Sequence, residues 1–226
     1  MEKAAVLATI RKLGLVPVLR ARSVDEAILL AEAVAAGGVT ALEVTMTVPG
    51  AIKVMERLTQ RRPDLLLGAG TVLDPETARI CMLAGAQFIL SPSINLRTIE
   101  MCDRYSVAVL PGALTPTEIV TAWQAGADVV RVFPAFAVGG AQYLKALKGP
   151  LPQIEMIPTG GVTLANAAEF LAAGAFALSV GSDLVNPKAL AIGKPETITE
   201  NAKQFLKIVA KFQAEAEEFH SREPEI

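Results

Sequence analysis

Ala84-Gly85-Ala86-Gln87-Phe88-Ile89-Leu90-Ser91-Pro92 closes a helical pattern and opens an apolar run within a few residues. Glycine suits the left-handed residue that follows a helix end, and Phe88-Ile89-Leu90 suits a strand buried on both faces. The same junction recurs at Ala36-Gly37-Gly38, Ala125-Gly126-Ala127 and Ala173-Gly174-Ala175, each ahead of a strand candidate. These junctions lie about two βα units apart, so the chain repeats itself weakly, as a closed array of βα units would.

Outward from that junction, eight β-rich runs alternate with helical patterns: Val16–Ala21, Ala41–Thr47, Leu65–Thr71, Phe88–Ser93, Val107–Pro111, Val129–Pro134, Glu155–Thr159 and Ala177–Gly181. A leading helix is expected over Lys3–Leu13 and a closing helix over Ile198–Glu217, with a frayed tail over residues 218–226. Ser23–Glu26, Thr115–Glu118 and Thr197–Glu200 read as capping boxes, and Asp74-Pro75 and Thr115-Pro116 put proline at the first helical position. The pattern predicts one α/β domain, residues 1–226, folded as a (β/α)8 TIM barrel with an extra N-terminal helix. A doubly wound open sheet is the alternative.

Composition narrows the function classes. Hydrophobic residues make up 52% and aromatics 5% of the 226 residues, so the core is aliphatic. A net charge of -2 with no basic block argues against a nucleic-acid partner. No apolar stretch reaches the roughly 18 uninterrupted residues of a membrane span, and the N-terminus lacks the order of a signal peptide, so no membrane partner and a cytoplasmic location are expected. Cys81 and Cys102 read as buried small hydrophobes in helical patterns, and one histidine leaves no histidine-rich metal site.

In such barrels the chemistry sits at the C-terminal strand ends. Alternation along Leu42-Glu43-Val44-Thr45-Met46-Thr47 puts Glu43, Thr45 and Thr47 on one face. Glu43 and Arg131 are charges inside apolar strands, which calls for pairing with each other or with a charged ligand. Pro158-Thr159-Gly160-Gly161-Val162 and Ser179-Val180-Gly181-Ser182-Asp183 offer glycines at two adjacent strand ends, where backbone N–H groups can hold an anion.

Together with Gly68-Ala69-Gly70-Thr71-Val72, Ser91-Pro92 and Val132-Phe133-Pro134-Ala135, these motifs make the sequence similar to the 2-keto-3-deoxy-6-phosphogluconate (KDPG) and 4-hydroxy-2-oxoglutarate (KHG) aldolase family, over nearly the whole chain. The resemblance implies a homotrimeric carbon–carbon lyase that needs no cofactor or metal, forms a Schiff base with a 2-oxo acid and cleaves a phosphorylated 2-keto-3-deoxy sugar acid, KDPG, to pyruvate and glyceraldehyde 3-phosphate. By resemblance Glu43 moves protons, Thr71, Pro92, Phe133 and Thr159 line the pyruvate pocket, and Gly160, Gly161, Gly181 and Ser182 cradle the phosphate.

The chain departs from the family pattern twice. Arg131 stands where the family has its Schiff-base lysine, and Thr47 where it has an arginine. A guanidinium offers no free lone pair for attack on a carbonyl. The sequence therefore leaves four readings open. The chain is an aldolase in which Arg131 grips the carboxylate and stabilises an enolate, a catalytically silent binder of a phosphate or oxo acid, a metal-assisted oxo-acid decarboxylase using Glu43 with Asp183, or an active aldolase whose lysine has been exchanged for arginine. Lys53 is the one other lysine expected near the site face.

Overall fold

The computed structural model describes residues 1–220, with the side chains of the last two left aside; the part of the expected frayed tail that falls on residues 221–226 lies outside the described residues. The chain alternates strand and helix: α1 (Lys3–Leu13), β1 (Leu15–Leu19), α2 (Val24–Ala36), β2 (Ala41–Thr45), α3 (Ala51–Arg61), β3 (Leu66–Gly70), α4 (Pro75–Leu83), β4 (Phe88–Leu90), α5 (Leu96–Arg104), β5 (Ala108–Leu110), β6 (Gly112–Ala113), α6 (Pro116–Gln124), β7 (Val130–Val132), α7 (Ala141–Lys148), β8 (Met156–Pro158), α8 (Ala167–Ala172), β9 (Leu178–Val180), α9 (Pro187–Ala191) and α10 (Glu196–His220). A short 3-10 helix, Ala135–Val138, follows β7. No described helix is long and apolar enough to cross a membrane.

All strand pairs are parallel. One sheet runs β5-β4-β3-β2-β1-β9 and a second runs β6-β7-β8. Eight strands in one sheet were expected, and the described residues form nine paired segments in two. The difference lies at Pro111, which has no N–H to give a ladder. The chain leaves β4 at Leu110 and joins β7 at Gly112, while the Pro111 carbonyl accepts from Arg131 N–H at 2.8 Å. At the other edge, Phe176 N–H donates to the Met156 carbonyl and Thr159 bridges Ser179.

The strands are buried on both faces, as parallel strands under helices must be. One face of the strands, with Val16, Ala41, Leu66, Phe88, Ala108, Val129, Ile157 and Ala177, shares a cluster with Val6 and Ile10 of α1, so that helix covers the N-terminal strand ends. A larger cluster fills the space between the sheet and the surrounding helices, and Cys81 and Cys102 are buried within it.

The helix ends follow the repeat read in the sequence. After α4, α6 and α8, two backbone bonds close each end, for example Ala86 N–H to Cys81 and Gly85 N–H to Met82. Gly85, Gly126 and Gly174 have φ of 106°, 98° and 90°, the left-handed region that a side chain disfavours.

Two of the three capping boxes are not as expected. At Thr115 the box is complete. At Ser23 the side chain accepts from Glu26 N–H, but the Glu26 carboxylate takes Arg22 N–H, one residue early. Thr197 caps nothing, because α10 begins at Glu196, behind Pro195, whose carbonyl takes the first-turn amides of Ile198 and Thr199. All eight expected strands overran their observed C-terminal ends by one to three residues, because the chain leaves the ladder there for the loops that lead into the helices.

Candidate active site

Residues on one face of the strands become polar towards the C-terminal ends. On β2, Glu43 has no exposed surface, and on β7 the Arg131 side chain is 5% exposed. Arg131 Nη1 donates to Glu43 Oε2 at 3.0 Å. The contact is end-on and single: Glu43 Oε1 and Arg131 Nε are buried without a hydrogen-bond partner among the described residues, as are the hydroxyls of Thr159 and Ser179. Such a pair is poorly compensated for the water it loses. The glutamate lies close against the strand beside it, since a Cβ at Gly70 would run into Glu43 Oε1.

Above the pair lies an inner cleft of about 20 Å³, lined by Arg20, Thr71, Pro92, Arg131 and Phe133. Thr71 holds φ at 57°, a left-handed conformation that costs a β-branched residue about 1–3 kcal/mol. The Phe133-Pro134 peptide is cis.

Beside it, a cleft of about 120 Å³ is lined by Arg20, Phe133, Thr159, Gly160, Gly161, Gly181 and Ser182, with Val18, Val162 and Asp183. Gly160 and Gly161 have φ of 86° and 76°. Among the described residues the N–H groups of Gly160, Gly161, Ser182 and Asp183 donate to no backbone carbonyl. Free amides beside a guanidinium, with three glycines that leave the backbone open to close approach, make a concavity suited to a phosphate-sized anion.

The structure thus brings together Glu43, Arg131, Thr71, Pro92, Phe133, Thr159, Gly160, Gly161, Gly181 and Ser182. Thr47 stands slightly apart. Its hydroxyl lies 2.8 Å from that of Thr45, which donates to the Leu19 carbonyl, and it lines a neighbouring cleft with Met46, Thr71 and Asp74. Arg20, at the end of β1, is the residue the sequence reading missed. It lines both the inner cleft and the glycine-lined one, and it has no ion pair among the described residues. Arg20 falls next to last in the expected strand Val16–Ala21, with Arg22 just beyond it, so it reads as a charge at a strand edge rather than as a site residue.

Lys53 is exposed on α3 and lines neither cleft, nor does any other lysine. Among the described residues no group of three or more His, Cys, Asp or Glu side chains gathers where it could hold a metal ion. Asp183, paired with Glu43 in the metal reading, lines the glycine-lined cleft, whereas Glu43 lines neither.

The sequence profile of the KDPG and KHG aldolases matches residues 6–201. The chain belongs to the KDPG and KHG aldolase family. It is 35% identical over 204 residues to the 2-dehydro-3-deoxy-phosphogluconate aldolase of Treponema pallidum, covering 90% of this chain and 97% of that one. The enzyme of the same name from Pseudomonas aeruginosa is 37% identical over 190 residues, 84% of this chain and 86% of the other. The KDPG aldolase of Legionella pneumophila, solved with pyruvate captured as a covalent carbinolamine, superposes with a TM-score of 0.82 at 33% identity, over 90% of this chain and 97% of that one. The family is one of carbon–carbon lyases, and its members share this parallel α/β fold.

Proposed function

We propose that this family member is a carbon–carbon lyase for a phosphorylated 2-keto-3-deoxy acid that stabilises an enolate by charge instead of forming an iminium. The observation that carries the reading is the buried Arg131–Glu43 contact at 3.0 Å beneath a cleft that Arg20 also lines. A carbinolamine, as captured in the Legionella relative, joins an amine to a carbonyl, and here no lysine reaches the cleft.

In this reading the phosphate rests on the amides of Gly160, Gly161 and Ser182, with Gly181 leaving room for it. The 2-oxo carboxylate competes with Glu43 for the Arg131 guanidinium, between Thr71, Pro92, Phe133 and Thr159. Glu43, released from Arg131, accepts the proton of the hydroxyl next to the breaking bond. That carbon–carbon bond breaks, the aldehyde leaves, and the electron pair becomes the enolate of pyruvate. Its oxygen lies against Arg131 and Arg20, which stabilise the charge without covalent chemistry. Glu43 then returns the proton to carbon.

The two sheets read as one (β/α)8 barrel in a single domain, supported by the passage of the chain through Pro111 and by the Thr159–Ser179 bridge. In this reading the protein is a homotrimer, as the family resemblance implies, and cytoplasmic, as the sequence patterns lead one to expect. Exposed Ile80, Leu83 and Leu96 on α4 and α5 support an interface between copies.

A second reading is a binding homologue without turnover. Its support is that Arg131 and Glu43 satisfy each other's charge and leave an inner cleft of about 20 Å³. Deuterium exchange at the methyl group of pyruvate, followed by NMR in D2O, separates the two. The lyase exchanges the methyl protons and Glu43→Gln stops it, whereas binding without exchange refutes the lyase reading.

A further inference from the structure

A further, open cleft begins where the glycine-lined one ends, shares Arg20 and Ser182 with it, and has a volume of about 450 Å³. That is the size of a small-ligand site. Its wall is chiefly apolar: Ala21, Pro187 and Ala191, with the aliphatic stems of Arg20 and Lys188. Among the described residues no acidic side chain lines it. Arg22, also at its edge, is held by Glu26 at 3.0 Å, while Arg20 and Lys188 have no ion pair among the described residues. Asn186 is committed too, its Oδ1 accepting Lys188 N–H at 3.0 Å.

We propose that this outer cleft is a second subsite, continuous with the phosphate cradle, for the flat apolar substituent of a phosphate ester that carries a further negative charge at its far end. The inference rests on the phosphate position given above. With the phosphate on Gly160, Gly161 and Ser182, the ester oxygen points towards two exits, the inner cleft and this one. A polyhydroxylated chain leaving by the outer exit meets a wall whose exposed surface is chiefly apolar. A planar ring instead lies on small residues and under the guanidinium of Arg20, a cation that stacks on aromatic faces. Lys188 then faces whatever charge the far edge of the ring carries. The subsite gives the cradle a class of ligand distinct from a sugar acid, and such a ligand competes with the sugar acid for the same amides.

Calorimetric titration of the full chain with inorganic phosphate, glycerol 3-phosphate, phenyl phosphate and 4-carboxyphenyl phosphate tests this. Phenyl phosphate is expected to bind about tenfold tighter than glycerol 3-phosphate, the gain from taking one ring out of water, with a further gain for the carboxylated ring. Ala191→Trp, which fills the cleft without touching the cradle, should abolish the ring's advantage and leave glycerol 3-phosphate unchanged. Lys188→Ala should remove only the carboxylate's gain. Equal binding of the phenyl and glycerol esters overturns the subsite while leaving the cradle intact, and so does a ring advantage that survives Ala191→Trp. Failure of every phosphate to bind overturns both the cradle and the subsite.

Discussion

Arg131→Met leaves Glu43 buried and unpaired, and the structure sets the size of the penalty. Glu43 has no exposed surface, Arg131 is its only hydrogen-bonding partner among the described residues, and its other oxygen lies close against Gly70. Stranding one member of a buried pair costs about 3–5 kcal/mol, whereas replacing both by apolar side chains is often neutral or stabilising. Arg131→Met should therefore lower stability by about 3–5 kcal/mol. At roughly 2–4 °C per kcal/mol for a chain of this size, that is a Tm fall of about 6–20 °C. Glu43→Met should cost less, because Arg131 borders the inner cleft and meets solvent there. The double variant should be no worse than the milder single one. Urea denaturation of the three variants gives the midpoints and slopes needed for a double-mutant cycle. Strictly additive losses, or a cost under about 1 kcal/mol for Arg131→Met, would refute a buried, paired geometry.

Three other consequences follow from the same coordinates. Gly70→Ala puts a methyl on the Glu43 carboxylate, so it should cost about 1–3 kcal/mol in denaturation and disable the site together with the fold. Burial pushes the Cys81 and Cys102 thiols up to about 11 and about 12, so neither should react with a thiol reagent at pH 8 until the chain is unfolded. Because those folded values lie above the ordinary thiol value of 9.0, their contribution is complete below pH 9 and is lost as pH rises through about 11 and 12, which an alkaline denaturation series reads. Glu118 behaves in the opposite sense. The amides of Thr115 and Leu114, with the Thr115 hydroxyl, hold its carboxyl below the usual range, so its capping contribution is present at neutral pH and fades as acid protonates it. The stability difference between wild type and Glu118→Ala, about 1 kcal/mol at pH 7, should shrink as the pH falls through that lowered value.

Much of this architecture was readable from local chemistry. The Ala-Gly junctions located helix ends because only a left-handed residue closes those turns, and the apolar runs located all eight expected strands because parallel strands are buried on both sides. What escaped depends on distant partners. The separation of β5 from β6 follows from Pro111 switching neighbours, which no local pattern encodes. Thr197 looked like a cap, yet Pro195 started the helix earlier. At the site, Glu43 and Arg131 stood out as charges in apolar strands, and their contact follows from the expense of burying either alone. Arg20 did not stand out, since its importance lies in which clefts meet at the end of β1.

The central claim is that carbon–carbon bond cleavage proceeds here without a covalent adduct to lysine. Incubating the protein with pyruvate and borohydride, then weighing the intact chain, tests it most directly. The expected result is an unchanged mass for the wild type under conditions where KDPG is still cleaved, and a reduced pyruvyl adduct at position 131 in Arg131→Lys. A stable adduct on the wild-type chain, mapped to any of its lysines, would contradict it.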